Sequence, residues 1–139
     1  MSSTPVLEGG CLCGLVRYRV RGAALSSSVC HCRSCRLASG APSVAWFVVP
    51  LERFEWLAGA PVERRSSPPV RRSFCNHCGT PLSYRNDDAP DRIELTTATL
   101  DDPDRLPPTH EIWHADKLSW AATDVALPHF VGERPDREA

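Results

Sequence analysis

The sequence contains no long hydrophobic run. Its longest apolar stretch, residues 44–49, falls far short of the roughly 20 apolar residues that a membrane-spanning helix needs. Residues 1–10 carry neither the basic region nor the apolar region of a secretory signal peptide. We therefore expect no membrane partner and a cytoplasmic location.

An excess of positive charge is also lacking. Lysine and arginine together number 16 against 17 aspartates and glutamates, so the formal net charge is −1. Proteins that bind a phosphate backbone usually carry a basic surplus. The charge balance therefore predicts that nucleic acid is not a partner.

Sustained helical periodicity is nearly absent. In residues 16–21, apolar side chains alternate strictly with arginines, which predicts a half-buried strand. Segments rich in β-branched and aromatic residues, or placed on both sides of a Cys-x-x-Cys pair, predict further strands at residues 43–49, 70–74, 82–85 and 92–99. Only residues 33–39 and 51–54 could hold a helical turn or two. The predicted architecture is mainly antiparallel β.

The length and composition are those of one globular domain. The chain has 139 residues, of which 42% are hydrophobic and 24% charged. We expect a single domain over residues 1–131. The remaining residues, 132–139, have the composition of a disordered tail.

The chain does contain seven cysteines, which fall into three groups. The groups are Cys11-x-Cys13, Cys30-His31-Cys32-x-x-Cys35 and Cys75-x-x-Cys78-Gly79. Four thiolates complete a closed, tetrahedral structural zinc site, whereas three protein ligands leave a position open, as in a catalytic site. Seven cysteines therefore suggest one zinc ion of each kind.

Two other uses of cysteine are less favoured. A disulfide framework needs an oxidising compartment and usually an even number of cysteines. A redox Cys-x-x-Cys pair is expected within a thioredoxin-like βαβ pattern, which neither pair has. Zinc is the preferred interpretation.

The strongest single motif is Cys75-Asn76-His77-Cys78-Gly79, which has the form of a zinc knuckle. The pair Cys11-x-Cys13 is weaker, because residues two apart on a strand share a face but need a local distortion to bind one ion. Together the two pairs supply four ligands. Such a site would join distant parts of the chain, so metal binding would contribute directly to folding.

The spacing leaves other ligand sets open. One alternative is a zinc ribbon whose single site consists of Cys32, Cys35, Cys75 and Cys78. Another alternative completes the Cys30, Cys32 and Cys35 site with a histidine, for which His31 and His77 are the nearest in sequence.

Taken together, the motifs resemble the glutathione-dependent formaldehyde-activating family (GFA, CENP-V/GFA). The matching runs are Gly10-Cys11-x-Cys13-Gly14, the Cys-His-Cys-x-x-Cys run at 30–35 with Gly40 beyond it, Arg72-x-Phe74-Cys75-x-x-Cys78-Gly79, and His110-x-x-Trp113-x-x-x-Lys117-x-x-Trp120. The resemblance covers about residues 7–120.

The resemblance implies an all-β, Mss4-like fold organised around two zinc ions. It assigns Cys11, Cys13, Cys75 and Cys78 to the structural ion and Cys30, Cys32 and Cys35 to the catalytic ion. It also implies carbon–sulfur lyase activity, namely condensation of glutathione with formaldehyde to S-hydroxymethylglutathione. The expected partners are therefore a small-molecule thiol and an aldehyde.

Zinc held by three cysteines suits thiol chemistry, because three thiolates weaken the ion as a Lewis acid and disfavour hydroxide formation. Arg33 and Arg36, beside the ligands, are candidates for binding the carboxylates of a thiol peptide. The candidates for proton transfer, chosen by residue type, are His31, His110, His114 and Asp116. Trp113 and Trp120 are expected in the core or in a pocket wall.

Two non-enzymatic functions remain as alternatives. A non-catalytic Mss4-like zinc-binding module would keep the fold and the four-cysteine site but need no open metal position. A zinc-ribbon nucleic-acid binder would require a basic face, which the charge balance disfavours.

Overall fold

The computed structural model describes residues 4–135 and is built around ten strands in two sheets. The strands are β1 (Val6–Gly10), β2 (Arg17–Arg21), β3 (Ser26–Cys30), β4 (Val44–Pro50), β5 (Phe54–Ala58), β6 (Val62–Ser67), β7 (Val70–Phe74), β8 (Pro81–Asn86), β9 (Arg92–Thr96) and β10 (His110–Ile112). The α-helix α1 spans Arg33–Ser39, and the short 3₁₀ turns are Leu51–Arg53, Thr97–Thr99, Pro103–Arg105 and His114–Asp116.

The smaller sheet has the order β1-β2-β5, and the larger has the order β10-β3-β4-β9-β8-β7-β6. Every named pairing is antiparallel except that of β10 with β3. The prediction of a mainly antiparallel β fold is confirmed. The helices of the described residues are all too short to cross a membrane.

Strand β2 has the alternating pattern that its sequence predicts. Tyr18 and Val20 are fully buried, whereas Arg17, Arg19 and Arg21 form ion pairs with carboxylates on the other face. The predicted strand at residues 92–99 is too long, because β9 ends at Thr96 and the next residues form a 3₁₀ turn.

The main hydrophobic core is built from both sheets. Tyr18 and Val20 of the smaller sheet belong to the same buried cluster as Phe47, Leu82 and Leu95 of the larger sheet. A second, smaller buried cluster contains Cys30, Cys35, Trp46 and Ile112. Strand β4 contributes to both clusters, because consecutive side chains of a strand point to opposite faces.

The C-terminal segment runs beside β10 and the turn that follows it. The backbone N–H of Glu111 donates to the carbonyl of Pro128, and that of Trp113 donates to the carbonyl of Gly132. Part of the predicted disordered tail, residues 136–139, lies outside the described residues. Within its described part, the Glu133 carboxylate accepts a hydrogen bond from the Trp113 indole at 3.0 Å.

Candidate metal centres

Four cysteines from two distant segments of the chain meet in one cluster. The Sγ atoms of Cys11, Cys13, Cys75 and Cys78 all lie within 4.8 Å of one another. The Sγ of Cys13 lies 3.5 Å from that of Cys11 and 3.8 Å from that of Cys75. A tetrahedral ion with Zn–S bonds of about 2.3 Å places its sulfurs about 3.8 Å apart. The four thiols therefore fit a zinc ion.

Tight turns bring these sulfurs together. The backbone N–H of Gly14 donates to the Cys11 carbonyl, and that of Gly79 donates to the Cys75 carbonyl. Both glycines have positive φ angles, 82° and 84°, in the left-handed region that favours glycine. The distortion that the Cys11-x-Cys13 pair needs is therefore supplied by the turn at the end of β1.

Hydrogen-bond donors contact several of these sulfurs. The backbone N–H of Val16 donates to Cys11 Sγ at 3.3 Å, and the Thr80 hydroxyl lies 3.2 Å from Cys78 Sγ. The Thr80 hydroxyl is the largest cause that lowers the pKa of Cys78, to about 5. Donors of this kind stabilise thiolates, which are the form that binds metal. Cys11 and Cys75 also belong to the main core.

The other three cysteines form a second cluster, at the junction of β3 and α1. The Sγ atoms of Cys30, Cys32 and Cys35 lie within 4.8 Å of one another. Cys32 is the N-cap of α1, and its Sγ accepts a hydrogen bond from the backbone N–H of Cys35 at 3.3 Å. The helix ends at Gly40, which has a φ of 71°. One short helical turn thus holds two of the three sulfurs.

The three thiols of this cluster strongly affect one another's protonation. A hydrogen bond from Cys30 is the largest cause that lowers the pKa of Cys32, and the same contact raises the pKa of Cys30. Close packing therefore favours one thiolate and opposes loss of the remaining protons. A divalent cation removes this opposition, because it stabilises all three thiolates together. The donor set fits zinc.

The clusters also resolve the alternatives that spacing leaves open. All seven cysteines are free, so no disulfide framework is present. Cys32 and Cys35 lie in a different cluster from Cys75 and Cys78, which excludes the zinc-ribbon arrangement. Neither His31 nor His77 belongs to either cluster.

A cavity of about 670 Å³ opens onto the cluster of three. Cys30, Cys32 and Cys35 all line it, whereas none of the other four cysteines does. Its aromatic lining comes from Trp46, Tyr84 and Trp113. The cluster of three is therefore accessible to a small molecule, and the cluster of four is separated from that space.

Only some of the residues predicted to contact substrate line this cavity. Arg33 lines it and is exposed, whereas Arg36 is not part of its lining. Trp113 lines the cavity, as expected. Trp120 is 71% exposed and lines neither the core nor this cavity, so that expectation is wrong.

Among the four candidates for proton transfer, Asp116 lines the cavity and the three histidines do not. His31 is buried, and its Nε2 lies 2.6 Å from a carboxylate oxygen of Glu111. His110 is also buried, with its Nδ1 3.0 Å from the Thr109 hydroxyl. The ring of His114 stacks on that of His129, with centroids 4.2 Å apart.

Sequence reasoning missed Arg72 as a residue of the cavity. Its guanidinium nitrogens lie 3.8 and 4.0 Å from Cys35 Sγ. Its central carbon lies 5.1 Å from the ring centroid of Tyr84 and 5.9 Å from that of Trp46. Residues two apart on a strand share a face. The available signal was therefore the position of Arg72 two residues after the apolar Val70 on β7, which places both side chains on the inner face of that strand.

Trp113 has an unusual backbone conformation. Its φ of 53° is the only positive value for a non-glycine residue in the part of the chain that the structure describes. A bulky residue in this region is strained unless its surroundings hold it there. Hydrogen bonds to Gly132 and Glu133 hold both the backbone and the indole. The C-terminal segment thus positions one wall of the cavity.

Comparison with known proteins agrees with this arrangement. The family model described as glutathione-dependent formaldehyde-activating enzyme matches residues 6–116. A crystal structure of a Rhodobacter sphaeroides protein, a Northeast Structural Genomics target, has a similar fold, with a TM-score of 0.58 and 18% sequence identity. The match covers 88% of this chain and 98% of that chain. Because the family model spans most of the sequence and includes all seven cysteines, the chain belongs to the glutathione-dependent formaldehyde-activating enzyme family.

Proposed function

We propose that the protein is a zinc-dependent enzyme of the carbon–sulfur lyase type that acts on thiol–aldehyde adducts. The reaction to test first is addition of glutathione to formaldehyde, which gives S-hydroxymethylglutathione. The observation that carries this proposal is the division of the seven cysteines into a closed cluster of four and a cavity-facing cluster of three.

We assign a structural zinc ion to Cys11, Cys13, Cys75 and Cys78 and a catalytic zinc ion to the other cluster, two ions per chain. Four thiolates complete a coordination shell, and three do not. Zinc held by Cys30, Cys32 and Cys35 would supply a Lewis acid that favours ionisation of a substrate thiol. The remaining steps depend on the cavity's own side chains.

The proposed reaction needs no other cofactor. The thiol sulfur forms a bond to the aldehyde carbon, and the carbonyl π electrons become a lone pair on oxygen. The proton lost by sulfur then reaches that oxygen. Asp116 is the proposed proton carrier, because it alone of the four predicted candidates lines the cavity. The reverse reaction cleaves the carbon–sulfur bond with the same groups.

Aromatic walls favour this chemistry by making the surroundings of the cysteines less polar than bulk water. Trp46, Tyr84 and Trp113 place aromatic surface beside the cysteines. A partly desolvated site strengthens electrostatic interactions with a developing oxyanion. Burial also raises the pKa of the Tyr84 hydroxyl above its usual range, so this group stays a hydrogen-bond donor well above neutral pH.

The experiment that tests this function is NMR exchange spectroscopy of glutathione with formaldehyde, with and without the zinc-loaded protein. We expect the protein to accelerate exchange between free glutathione and its hydroxymethyl adduct. The matched control is Cys32→Ser, because serine is a good N-cap and preserves the start of α1 while removing the thiolate. Equal exchange rates with the parent, with folded Cys32→Ser and without protein would contradict the proposed function.

A further inference from the structure

Arg72 is held in a fixed position beside the cysteine cluster that faces the cavity. It lies opposite Tyr84 in the pairing of β7 with β8, and its guanidinium faces the Tyr84 and Trp46 rings. Planar guanidinium groups stack favourably on aromatic faces, and this restricts the long side chain. The nitrogens at the end of the side chain are directed to Cys35 Sγ.

Arg72 lacks a carboxylate partner within ion-pair distance among residues 4–135. The neighbouring Arg71 differs, because its guanidinium lies 3.1 Å from Glu63 and 3.3 Å from Asp87. The contacts of Arg72 with Cys35 Sγ are long, at 3.8 and 4.0 Å, and a guanidinium has five N–H donors. A half-buried cation with unused donors favours an anionic ligand.

We propose that Arg72 is a specificity-determining residue that binds the acidic group of the substrate thiol. This inference rests on the proposed function, because it assumes that a thiol enters the cavity beside Cys30, Cys32 and Cys35. A carboxylate within hydrogen-bond distance of Arg72 would lie within about 7 Å of Cys35 Sγ. The preferred substrates are therefore thiols whose carboxylate can reach Arg72 while their sulfur lies beside Cys35, a class that includes glutathione.

The charges around the cavity make this cation necessary for such a ligand. The cysteine cluster is anionic when it binds metal, and Glu94, Asp116 and Glu133 also line the cavity. These groups repel an acidic thiol. The aromatic contacts of Arg72 hold its guanidinium against Cys35. The Arg33 side chain also lines the cavity, but it is exposed.

The test compares two thiols of equal length, 3-mercaptopropionate and its uncharged amide, 3-mercaptopropionamide. Their dissociation constants are measured by titration calorimetry with the zinc-loaded, full-length protein. We expect the parent to bind the acid at least tenfold more tightly, which is the usual effect of a charge-assisted hydrogen bond. Arg72→Gln should remove this preference, and Arg72→Lys should restore part of it.

Arg36→Gln is a matched control, because it removes the same charge from the neighbouring helix at a residue that does not line the cavity. It should retain the preference for the acid. The role of Arg72 would be overturned if the parent bound acid and amide equally, or if folded, zinc-loaded Arg72→Gln kept the preference for the acid. Either result would leave the proposed function standing. If the parent bound neither these two thiols nor glutathione, the proposed function would fail together with this inference. Binding of glutathione alone would overturn only the inference.

Discussion

Nε2 of His31 lies 2.6 Å from a carboxylate oxygen of Glu111, and both side chains are almost completely buried. His31 stands between Cys30 and Cys32, whereas Glu111 lies on β10, which pairs with β3. This contact ties the segment that carries two of the clustered cysteines to the neighbouring strand. It thereby supports the cysteine cluster through two residues that do not themselves line the cavity.

Replacement of Glu111 by alanine is expected to destabilise the fold. The change leaves the buried His31 ring without its hydrogen-bond partner, at a cost of about 1–3 kcal/mol. Glu111→Gln keeps a hydrogen-bonding group and should lose less. Urea denaturation measures both free energies of unfolding, and a Glu111→Ala value equal to that of the parent would show that the contact is dispensable.

The two cysteine clusters should respond differently to substitution. Cys75→Ser removes a ligand that is 1% exposed within the main core, so we expect loss of both the structural zinc and the fold. Cys32→Ser keeps the helix cap and should leave a folded protein without activity. Elemental analysis and thermal melts distinguish these outcomes. Equal destabilisation by the two substitutions would contradict the assignment of structural and catalytic roles.

The seven cysteines and their grouping illustrate how much a sequence can predict. The pair Cys75-x-x-Cys78 carries its own turn, so spacing alone identifies it as a metal-binding knuckle. The fourfold cluster also needs Cys11 and Cys13, which approach only through the packing of the two sheets. Spacing could not choose between this set and a zinc ribbon, whereas family resemblance could.

Strand prediction succeeded where the side-chain pattern was strong. The alternation at residues 16–21 and the apolar run at 44–49 correspond closely to β2 and β4. Strand β3 was missed because its first three residues are serines, which favour turns when considered locally. Two of these serines are buried between β4 and β10, so tertiary pairing determines the strand.

The cavity side chains were the least predictable part of the site. Arg72 and Tyr84 lie on the consecutive strands β7 and β8, whereas Trp46 comes from β4, much earlier in the sequence. The approach of Trp46 depends on the order of strands in the larger sheet, which no local pattern specifies. Arg33 and Arg36 are the charged residues nearest in sequence to Cys30, Cys32 and Cys35, whereas Arg72 lies in the motif of the other proposed zinc site and reaches Cys35 only in the folded chain.

The strained conformation of Trp113 makes a second stability prediction. Trp113→Gly and Trp113→Ala lose the same indole contacts, but glycine adopts a φ near 53° without steric strain. A left-handed backbone conformation costs an L-residue about 1–2 kcal/mol. Glycine avoids this cost, but the greater conformational entropy of its unfolded chain offsets part of the gain in stability. We expect Trp113→Gly to be the more stable of the two in urea. A more stable Trp113→Ala would show that the backbone is not strained.

The ion pair between Arg17 and Asp101 predicts a small pH effect on stability. A hydrogen bond from Arg17 is the largest cause that lowers the pKa of Asp101. A carboxyl with a lowered pKa stabilises the fold above its unfolded pKa of about 4, and this contribution disappears as pH falls through the folded pKa. Because both side chains are partly exposed, the effect should stay below about 1 kcal/mol.

Asp101→Asn is the variant that measures this contribution. It should be slightly less stable than the parent at pH 7 and equal to it at about pH 2, by urea denaturation. Arg17→Gln serves as the control. The stabilisation from this ion pair should be lost only once, so the double variant should be destabilised by less than the sum of the two single variants. A stability difference that grew as the pH fell would contradict the predicted sign.

The proposal that the cavity-facing cysteines form an open thiol-binding site is tested most directly by zinc X-ray absorption. With two ions per chain, clusters of four and three cysteines predict a mean of about 3.5 sulfur ligands per zinc. Addition of a saturating substrate thiol should raise this mean to about 4, and Cys32→Ser should prevent the rise. A coordination shell that no thiol changes would contradict the open site and, with it, the carbon–sulfur chemistry.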